Sequence, residues 1–322
     1  MSDKRATIIY NPMSGRPGRR AEDVQQMIGL LGRDGIKATA KATTGPDDAS
    51  KLAGEAVAAE TNIIISYGGD GTLNEVIQGI AGSQTALAVW PGGTSNVVAR
   101  DLGVPFGIRQ LADMITAGKT RRIALGLARR GSKFMVQGSE LSHGANLEPE
   151  TRNAEPGTPS RYFVMMAGIG LDASIARSVN TKLKRRTGEF AYWLSGIRHL
   201  FLWRAEPFAI EVDGRSYQGA FALIGNGKGY GGGMMMTPGA RLEEPWFEVY
   251  ILPPLANNFK YLRALGACMR GKPDVAGVSL VRGKHIKANS AHEPWVEADG
   301  EIIGPLPMTF DIVPDALSVI VP

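Results

Sequence analysis

Three consecutive segments constrain the fold of this chain most. They are an apolar run, a glycine-rich pentapeptide and an amphipathic stretch. Residues 62–67 (NIIISY) form a short apolar run that indicates a buried strand. Residues 68–72 (GGDGT) come next, and residues 73–80 (LNEVIQGI) then carry apolar side chains at helical spacing. The sequence therefore predicts a strand and a helix joined by a tight turn, which is a building unit of α/β proteins.

The pentapeptide also has the composition of a phosphate-binding turn. Its three glycines allow positive φ angles and let a ligand approach the backbone closely. The helix start offers unpaired N–H groups and the positive end of the helix dipole, and both favour a phosphate group. The carboxylate of Asp70 is unfavourable in an anion-binding turn unless a metal ion or a proton transfer requires it. The pattern predicts a phosphoryl-transfer site.

Two further predicted strands end in similar loops. Residues 6–10 (ATIIY) precede the loop 11–15 (NPMSG), and residues 86–90 (ALAVW) precede the loop 91–96 (PGGTSN) and a helix that runs through Arg100. Because the carboxyl ends of parallel strands lie along one edge of a sheet, where ligands bind, we expect the three loops at that edge. Ordinary tight turns are the alternative for each loop taken singly.

The chain changes from alternating strand and helix signals to strand-rich signals near residue 122. Residues 1–122 are predicted to form a doubly wound α/β domain, and residues 123–314 a mainly antiparallel β domain. The predicted strands of the first domain are 6–10, 37–41, 62–67 and 86–90, and its predicted helices are 21–31, 47–60, 73–80, 96–102 and 107–117. The strand-rich segments of the second domain are 161–167, 207–225, 246–252, 278–287 and 294–321, with a hairpin signal at 208–215.

The composition is that of an ordinary globular protein. The 322 residues are 43% hydrophobic and 21% charged, and the formal net charge of +5 permits an anionic partner without requiring one. The chain has no apolar run long enough to cross a bilayer, and its first residues lead straight into a predicted strand rather than into a signal segment. The single cysteine, Cys268, cannot form an internal disulfide. These features predict a cytoplasmic protein, and the histidines show no zinc-ligand spacing.

Taken together, the motifs resemble the diacylglycerol kinase catalytic family, which includes the sphingosine kinases and bacterial lipid kinases. The matching segments, in chain order, are 11–15, 68–75, 93–103, 168–173, 231–233 with 238–240, and 299–301. The resemblance implies a Rossmann-like nucleotide-binding domain, a β-sandwich substrate domain, and a last strand at about 315–322 that returns to the first domain. It also implies an ATP-dependent, Mg²⁺-requiring kinase that phosphorylates a hydroxyl group of diacylglycerol, monoacylglycerol, a long-chain base or a related lipid.

The resemblance assigns most of the three loops to nucleotide binding. The implied contacts are Asn11, Pro12, Met13, Ser14, Gly15, Thr44 (with Thr43 as its alternative), Gly68, Gly69, Asp70, Gly71, Thr72, Leu73, Asn74, Thr94, Asn96 and Arg100. Turn capping is the alternative for the three asparagines, and a solvated helix residue is the alternative for Arg100. Val97 stands where the family commonly has an aspartate, so the role of that acid is absent here or is supplied elsewhere.

Several carboxylates are implied in catalysis or substrate binding. Asp70 is placed to organise Mg²⁺ on the nucleotide, and Asp299 is implied as the base that receives the proton of the lipid hydroxyl. Asp172 and Glu75 are implied at the substrate. A hairpin turn is the alternative for Asp299, and a helix N-cap is the alternative for Asp172.

A structural Mg²⁺ is implied near residue 244. Its ligands would be the Glu244 carboxylate and the backbone carbonyls of Arg241 and Trp246. Glu244 and Pro245 replace the aspartate and glycine that the family often has there, so the presence and the absence of this metal are equally open.

Residues 181–204 combine basic and aromatic side chains. The basic cluster is Lys182, Lys184, Arg185 and Arg186, and a helix-like aromatic segment follows it. This pattern predicts peripheral contact with anionic membranes, and the alternative is that the aromatic side chains pack into the second domain. A membrane lipid is the expected partner, nucleic acid is not expected, and a homodimer is compatible with the sequence.

Two other functions remain open. A kinase of a soluble substrate, such as an NAD kinase, shares the GGDG core, although the motifs of the second domain argue against it. A catalytically silent lipid- or nucleotide-binding regulator is favoured by Val97 and by the altered Glu244–Pro245 segment, whereas Asp70 and Asp299 argue against it.

Overall fold

The chain forms two compact units. The computed structural model describes residues 4–14, 18–131, 160–170, 206–230, 234–255, 258–269 and 277–322. One unit comprises Met1–Leu125 together with Pro314–Pro322, and the other comprises Gly126–Val313.

The first unit alternates strands and helices, and the second is built mainly from strands. The elements that begin in the first unit are β1 (Lys4–Tyr10), α1 (Arg20–Arg33), β2 (Ile36–Ala42), α2 (Asp48–Ala58), β3 (Ile63–Gly68), α3 (Asp70–Ile80), β4 (Ala86–Pro91), α4 (Val97–Asp101), α5 (Ile108–Ala117) and β5 (Thr120–Arg130). Those that begin in the second unit are β6 (Ser160–Phe163), β7 (Met166–Ile169), β8 (Phe208–Val212), β9 (Arg215–Gly219), β10 (Phe221–Gly225), β11 (Gly229–Tyr230), β12 (Met234–Met235), β13 (Phe247–Leu252), α6 (Asn258–Met269), β14 (Ser279–Gly283), β15 (His285–Asn289), β16 (Trp295–Ala298), β17 (Glu301–Pro305) and β18 (Met308–Ile320). Strands β5 and β18 have residues in both units.

The first unit contains a parallel sheet in the strand order β2-β1-β3-β4-β18. The end of the chain contributes its last strand, in which Ser318 pairs with Ala86 of β4. Tyr10 of β1 pairs with Tyr67 of β3, which pairs with Trp90 of β4, so these three strands end in register. The strand order reverses between β1 and β3, and ligands bind at such a switch point in open α/β sheets. The predicted α/β fold class is confirmed.

Burial explains why these segments form a parallel sheet and its helices. All six residues of β3 are buried, as expected for a parallel strand that is covered on both faces. Helices α2 and α3 pack closely because the residues between them are small. Ala49 and Ala53 are fully buried, and a Cβ at Gly79 would lie 2.3 Å from the Ser50 carbonyl oxygen.

The second unit contains antiparallel sheets around one apolar core. One sheet has the order β14-β13-β10-β7-β16-β17, and separately β8 pairs with both β9 and β15, and β15 with β18. Alternating residues of both sheets form the core, in which Phe163 stacks on Phe247 at 5.7 Å between ring centroids. The predicted antiparallel β fold is confirmed. The predicted hairpin is present as β8 and β9, whose turn residues Asp213 and Gly214 have φ angles of 46° and 83°.

Candidate active site

Three loops lie side by side at the carboxyl edge of the parallel sheet. We call residues 11–14 the first loop, residues 68–72 the second loop and residues 92–96 the third loop. The Asn11 N–H donates to the Tyr67 carbonyl oxygen (3.3 Å), and the Gly92 N–H donates to the Gly68 carbonyl oxygen (2.8 Å). Backbone hydrogen bonds therefore join the first and third loops to the strand end that carries the second loop.

Close packing explains the glycines of the second and third loops. A Cβ at Gly93 would lie 2.6 Å from the Gly69 Cα, and a Cβ at Gly68 would lie 2.6 Å from the Thr72 Cβ. None of the three pentapeptide glycines adopts the positive φ angle that glycine allows. Glycine is needed because the two backbones approach each other more closely than any side chain would allow.

Helix α3 begins at Asp70, three residues earlier than predicted. Gly69 is its N-cap with an extended backbone (φ −89°, ψ −176°), so Asp70, Gly71 and Thr72 form the first helical turn. The Leu73 N–H bonds to the Gly69 carbonyl oxygen (3.1 Å), and the N–H groups before it have no partner within the helix. An acidic residue in this turn also interacts favourably with the helix dipole, which is a structural reason for Asp70 besides a metal or a proton transfer.

The Asp70 carboxylate links the second loop to helix α4. Its Oδ1 accepts a hydrogen bond from the Val97 N–H (2.8 Å). Burial raises the pKa of the Asp70 carboxyl group, and the hydrogen bond from Val97 opposes that rise. A partly desolvated carboxylate gains from a nearby cation. Asp70 therefore fits Mg²⁺, which proteins often hold through one or two carboxylates together with phosphate oxygens of a substrate.

Asn96 shapes the third loop from within. Its backbone is left-handed (φ 47°), and its side chain is buried. The Asn96 amide makes two bonds to Gly93: Oδ1 accepts the Gly93 N–H and Nδ2 donates to the Gly93 carbonyl oxygen, both at 2.9 Å. Turn capping therefore describes Asn96 in this structure. Thr94, at the tip of the loop, is exposed.

Asn11 closes the first loop in a similar way. Its Oδ1 accepts a hydrogen bond from the Met13 N–H (2.9 Å), and the Ser14 hydroxyl donates to the Asn11 carbonyl oxygen (3.2 Å). Pro12 is half-buried, whereas the Met13 side chain is 64% exposed. Gly15, the last predicted residue of this loop, lies outside the described residues.

The other predicted residues of α3 are occupied with the fold. Leu73 and Asn74 are buried at 4% and 1% exposure, and the Asn74 Oδ1 accepts a hydrogen bond from the Gln78 amide (3.3 Å). Glu75 accepts the N–H of Ala49 at the start of α2 (3.2 Å). This geometry gives no support to nucleotide contacts by the side chains of Leu73 and Asn74, and it gives Glu75 a role in capping α2.

Two predicted nucleotide contacts, Thr44 and Arg100, are exposed at the edges of the site. Both the N–H and the hydroxyl of Thr44 donate to Oδ2 of Asp48 (2.8 and 2.5 Å), and the hydroxyl bond is the main cause that lowers the Asp48 pKa. The Arg100 Nε donates to the Ser95 carbonyl oxygen (2.9 Å), and its guanidinium lies 5.5 Å from the ring centre of Phe106.

Arg20, to which the sequence gave no role, lies among the loops. It is the first residue of α1, and it is only 4% exposed. Its guanidinium bonds to Ser14 of the first loop and to the carbonyl oxygen of Gly92 in the third loop, and it lies 3.9 Å from the ring centre of Tyr67. The Tyr67 ring stacks on Trp90 at 3.7 Å. One arginine thus contacts the first loop, the third loop and the end of β3.

Asp299 lies in the second unit, at the hairpin turn that the sequence offered as the alternative to a catalytic role. Asp299 and Gly300 have φ angles of 49° and 85° and form the turn between β16 and β17. The Asp299 carboxylate accepts three backbone N–H groups, those of residues 164–166, at 2.7, 2.9 and 3.1 Å. The next carboxylate along the chain is that of Glu301, whose side chain is exposed.

Residues 241–246, where a structural Mg²⁺ was expected, precede β13. The Arg241 carbonyl oxygen accepts the Glu244 N–H (3.0 Å), so one expected ligand already has a hydrogen bond. The Arg282 guanidinium lies 4.1 Å from a ring centre of Trp246. Within the described part of the chain, no three His, Cys, Asp or Glu side chains cluster as metal ligands do. The Mg²⁺ at Glu244 stays a prediction.

Two further expectations lie outside the described residues, namely Asp172 and the membrane segment 181–204. In the part of the chain that the structure describes, no helix combines the length and the apolar character needed to span a bilayer.

Comparison with known proteins defines the class. Residues 5–128 match the family model of the diacylglycerol kinase catalytic domain, and residues 165–321 match the model described as the YegS C-terminal NAD kinase beta sandwich-like domain. Together with the α/β unit, the antiparallel β unit and the glycine-rich loops, these matches define a lipid kinase.

Whole-chain relatives lead from the class to the family. The chain is 31% identical over 313 residues to the diacylglycerol kinase of Bacillus subtilis (strain 168), covering 95% of this chain and 93% of that one. It is 30% identical to the diacylglycerol kinase of Staphylococcus saprophyticus, covering 95% and 92%. A crystal structure of a diacylglycerol kinase from Bacillus anthracis str. Sterne shares the fold, with a TM-score of 0.74 and 23% identity over 100% of this chain and 98% of that one. The protein belongs to the diacylglycerol kinase family.

Proposed function

We propose that this protein transfers the terminal phosphoryl group of ATP to a hydroxyl group of diacylglycerol or of a related lipid, such as a monoacylglycerol or a long-chain base. The observation that carries the proposal is the backbone contact between Gly69 and Gly93 beside Asp70. Membership of a lipid kinase family supports the same reaction.

The nucleotide is proposed to bind at the three loops. The N–H groups at the start of α3, which have no partner within the helix, and the positive end of the α3 dipole suit phosphate oxygens. Thr94 offers an exposed hydroxyl next to them. When bound, Mg²⁺ would neutralise phosphate charge, and Asp70 is the residue that would hold it. The protein's part is to orient the phosphates, because positioning and charge neutralisation dominate phosphoryl transfer.

Asp299 is proposed to accept the proton of the lipid hydroxyl. Three backbone N–H groups fix its carboxylate in one orientation, which suits a positioned base. The same bonds occupy part of its acceptor capacity, so the exposed Glu301 is the alternative base. The β unit that carries both residues is proposed to bind the lipid headgroup, with Asp172 at that site.

The protein is proposed to act as a peripheral membrane protein on the cytoplasmic side, with residues 181–204 at the lipid surface. A variant with Lys182, Lys184, Arg185 and Arg186 changed to serine should lose binding to anionic vesicles in a sedimentation assay, because each cation near such a surface contributes roughly 1 kcal/mol. Vesicle binding that is unchanged in this variant, with an unchanged salt dependence, would exclude residues 181–204 as the membrane-binding surface.

Analytical ultracentrifugation would test the homodimer that the sequence allows.

The reaction itself can be tested with purified protein, Mg²⁺ and ATP in mixed micelles. The panel contains diacylglycerol, monoacylglycerol, a long-chain base and a prenol, and mass spectrometry identifies the product. Micelles without lipid are the control, and NAD is the soluble rival substrate. Phosphorylated lipid supports the proposal, and phosphorylated NAD alone would replace it with the NAD kinase alternative. Bound ATP without any product would favour a silent regulator.

A further inference from the structure

We propose that Arg20 is a positioning residue that ties the first loop to the third and holds a buried positive charge that the phosphates of the nucleotide compensate. This inference rests on the proposed nucleotide site and adds a residue to it. Arg20 would act through the loops and through its charge, since its guanidinium is covered by the protein.

The hydrogen bonds of the guanidinium define the positioning role. Nε donates to the Ser14 carbonyl oxygen (2.9 Å), and Nη2 donates to the Ser14 hydroxyl (3.1 Å) and to the Gly92 carbonyl oxygen. A Cβ at Gly92 would lie 2.2 Å from Nη1, so the third loop lies directly against the guanidinium. A planar group with five N–H donors in a fixed fork can hold two loops in one geometry, which a lysine cannot do.

The Tyr67 ring faces the charge of this group, but no carboxylate of the described residues pairs with it directly. Nη1 is buried and has no hydrogen-bond partner. Within the described residues no carboxylate forms an ion pair with Arg20, and the Asp23 carboxylate instead accepts the hydroxyl of Tyr67 (2.6 Å). Arg20 is also the first residue of α1, where the helix dipole is positive and disfavours a cation. Buried charges in proteins are ordinarily paired, so an anion that binds beside this guanidinium would be stabilised.

The position of Arg20 shows which anion would balance it. Its two loop partners, Ser14 and Gly92, flank the strand end that leads into the second loop and α3. A polyphosphate at those loops would bring negative charge next to a cation that the fold has already desolvated. The contribution of Arg20 should therefore grow with the number of phosphates, and it should be small for the nucleoside part.

A purely structural brace makes a different prediction. If Arg20 only held the loops together, Arg20→Lys and Arg20→Met would lower the ratio of ATP affinity to AMP affinity alike, because neither residue has the guanidinium fork. If its charge also acts on the phosphates, Arg20→Lys must keep more of that ratio than Arg20→Met. The comparison of the two variants therefore separates the two roles.

The experiment compares Arg20→Met, Arg20→Lys and Arg19→Met with the wild type by titration calorimetry of ATP, ADP, AMP and pyrophosphate. Arg19 is the adjacent exposed arginine and is the matched control. In Arg20→Met we expect the ATP-to-AMP affinity ratio and the pyrophosphate affinity each to fall about tenfold, as for loss of a buried charge partner. Arg20→Lys should keep much of the ratio because it keeps the charge, and Arg19→Met should match the wild type.

Circular dichroism and thermal melting establish that each variant is folded. If Arg20→Met does not fold, Arg20→Gln, which is also neutral, takes its place in the same comparison. An ATP-to-AMP ratio in Arg20→Lys that is as low as in the neutral variant, at low and at high salt, would overturn the charge role. An unchanged ratio in a folded Arg20→Met would do the same. A wild type that binds neither ATP nor pyrophosphate would refute the nucleotide site itself.

Discussion

Replacement of Asp70 by asparagine separates a catalytic carboxylate from a structural one. Asparagine keeps an oxygen that can accept the Val97 N–H at the position of Oδ1, which now accepts it at 2.8 Å. It removes the negative charge and replaces the other carboxylate oxygen with an NH₂ group, which donates and does not accept. The loop contact between Gly69 and Gly93 is made by backbone atoms and should persist.

The expected effect of Asp70→Asn on stability is small. Loss of charge weakens one hydrogen bond to Val97, and charged acceptors add about 1 kcal/mol over neutral ones. It also removes a favourable interaction with the α3 dipole, about 0.3–1 kcal/mol. Against these losses, the desolvation that raises the Asp70 pKa no longer acts on a charged group. The variant should therefore be close to the wild type in stability.

The expected effect of Asp70→Asn on activity is large. Transition-state stabilisation by a positioned metal ion is worth several kcal/mol, so kcat/KM with lipid should fall at least ~10²-fold. The Mg²⁺ dependence of ATP binding should weaken in the same variant. The assays are lipid phosphorylation, calorimetric ATP titration with and without Mg²⁺, and thermal melting. Asp113→Asn, which removes an exposed carboxylate from α5, is the matched control.

Near-normal turnover of Asp70→Asn with normal Mg²⁺ dependence would refute the reasoning. Asp70 would then be a residue of the helix start, kept for the dipole and for the bond to Val97. A large loss of stability would contradict the charge balance that the structure gives for this site.

Three further predictions concern other parts of the chain. If Asp299 is the base, Asp299→Asn should lower kcat by about 10²–10⁴-fold with little change in ATP affinity. If Asp299→Asn stays active and Glu301→Gln shows that loss instead, Glu301 is the base. A Cβ at Gly93 would lie 2.6 Å from the Gly69 Cα, so Gly93→Ala should force the two backbones apart and weaken ATP binding. A Cβ at Gly29 has nothing within 4 Å, so Gly29→Ala should bind ATP normally. Equal ATP affinities of the two variants would contradict the loop contact. Burial and the bond to Asp23 raise the pKa of Tyr67 to about 12. The stability that this shift contributes is complete below the unfolded pKa of 10.0 and is lost as the pH rises through about 12. Tyr67→Phe should therefore flatten the fall of the melting temperature between those pH values, and a fall identical to that of the wild type would contradict the shift.

Hydrophobic pattern located most elements of the first unit, because burial sets that pattern, but it did not predict β5 (Thr120–Arg130). The predicted strand 62–67 is β3 (Ile63–Gly68), and the predicted helix 107–117 is α5 (Ile108–Ala117). The start of α3 was misplaced for a physical reason. Asp70, Gly71 and Thr72 have no apolar side chains, so the first turn of this helix carries no periodic signal.

Side-chain roles within the site were less accessible to sequence reasoning. The motif locates Asn96, but only the structure shows that both ends of its amide bond to Gly93. The sequence could not identify Arg20 as a residue of the site, because its buried position involves the carbonyl oxygen of Gly92, which is 72 residues away along the chain. Neither Arg20 nor its neighbour Arg19 differs in local sequence from an exposed arginine at a helix start.

Side chains and backbone groups have different roles in the site. The side chains of Asn11, Asn96 and Arg20 bond to the loops themselves, whereas the N–H groups at the start of α3 have no helical partner. Phosphate binding by backbone groups places few demands on individual side chains once the loops are held in shape. This division offers a reason why Val97 is tolerated where the family commonly has an acid: its backbone N–H orients Asp70, and a side chain is not needed for that bond. The residues whose loss should matter most are therefore those that fix the loops and the one carboxylate that the loops orient.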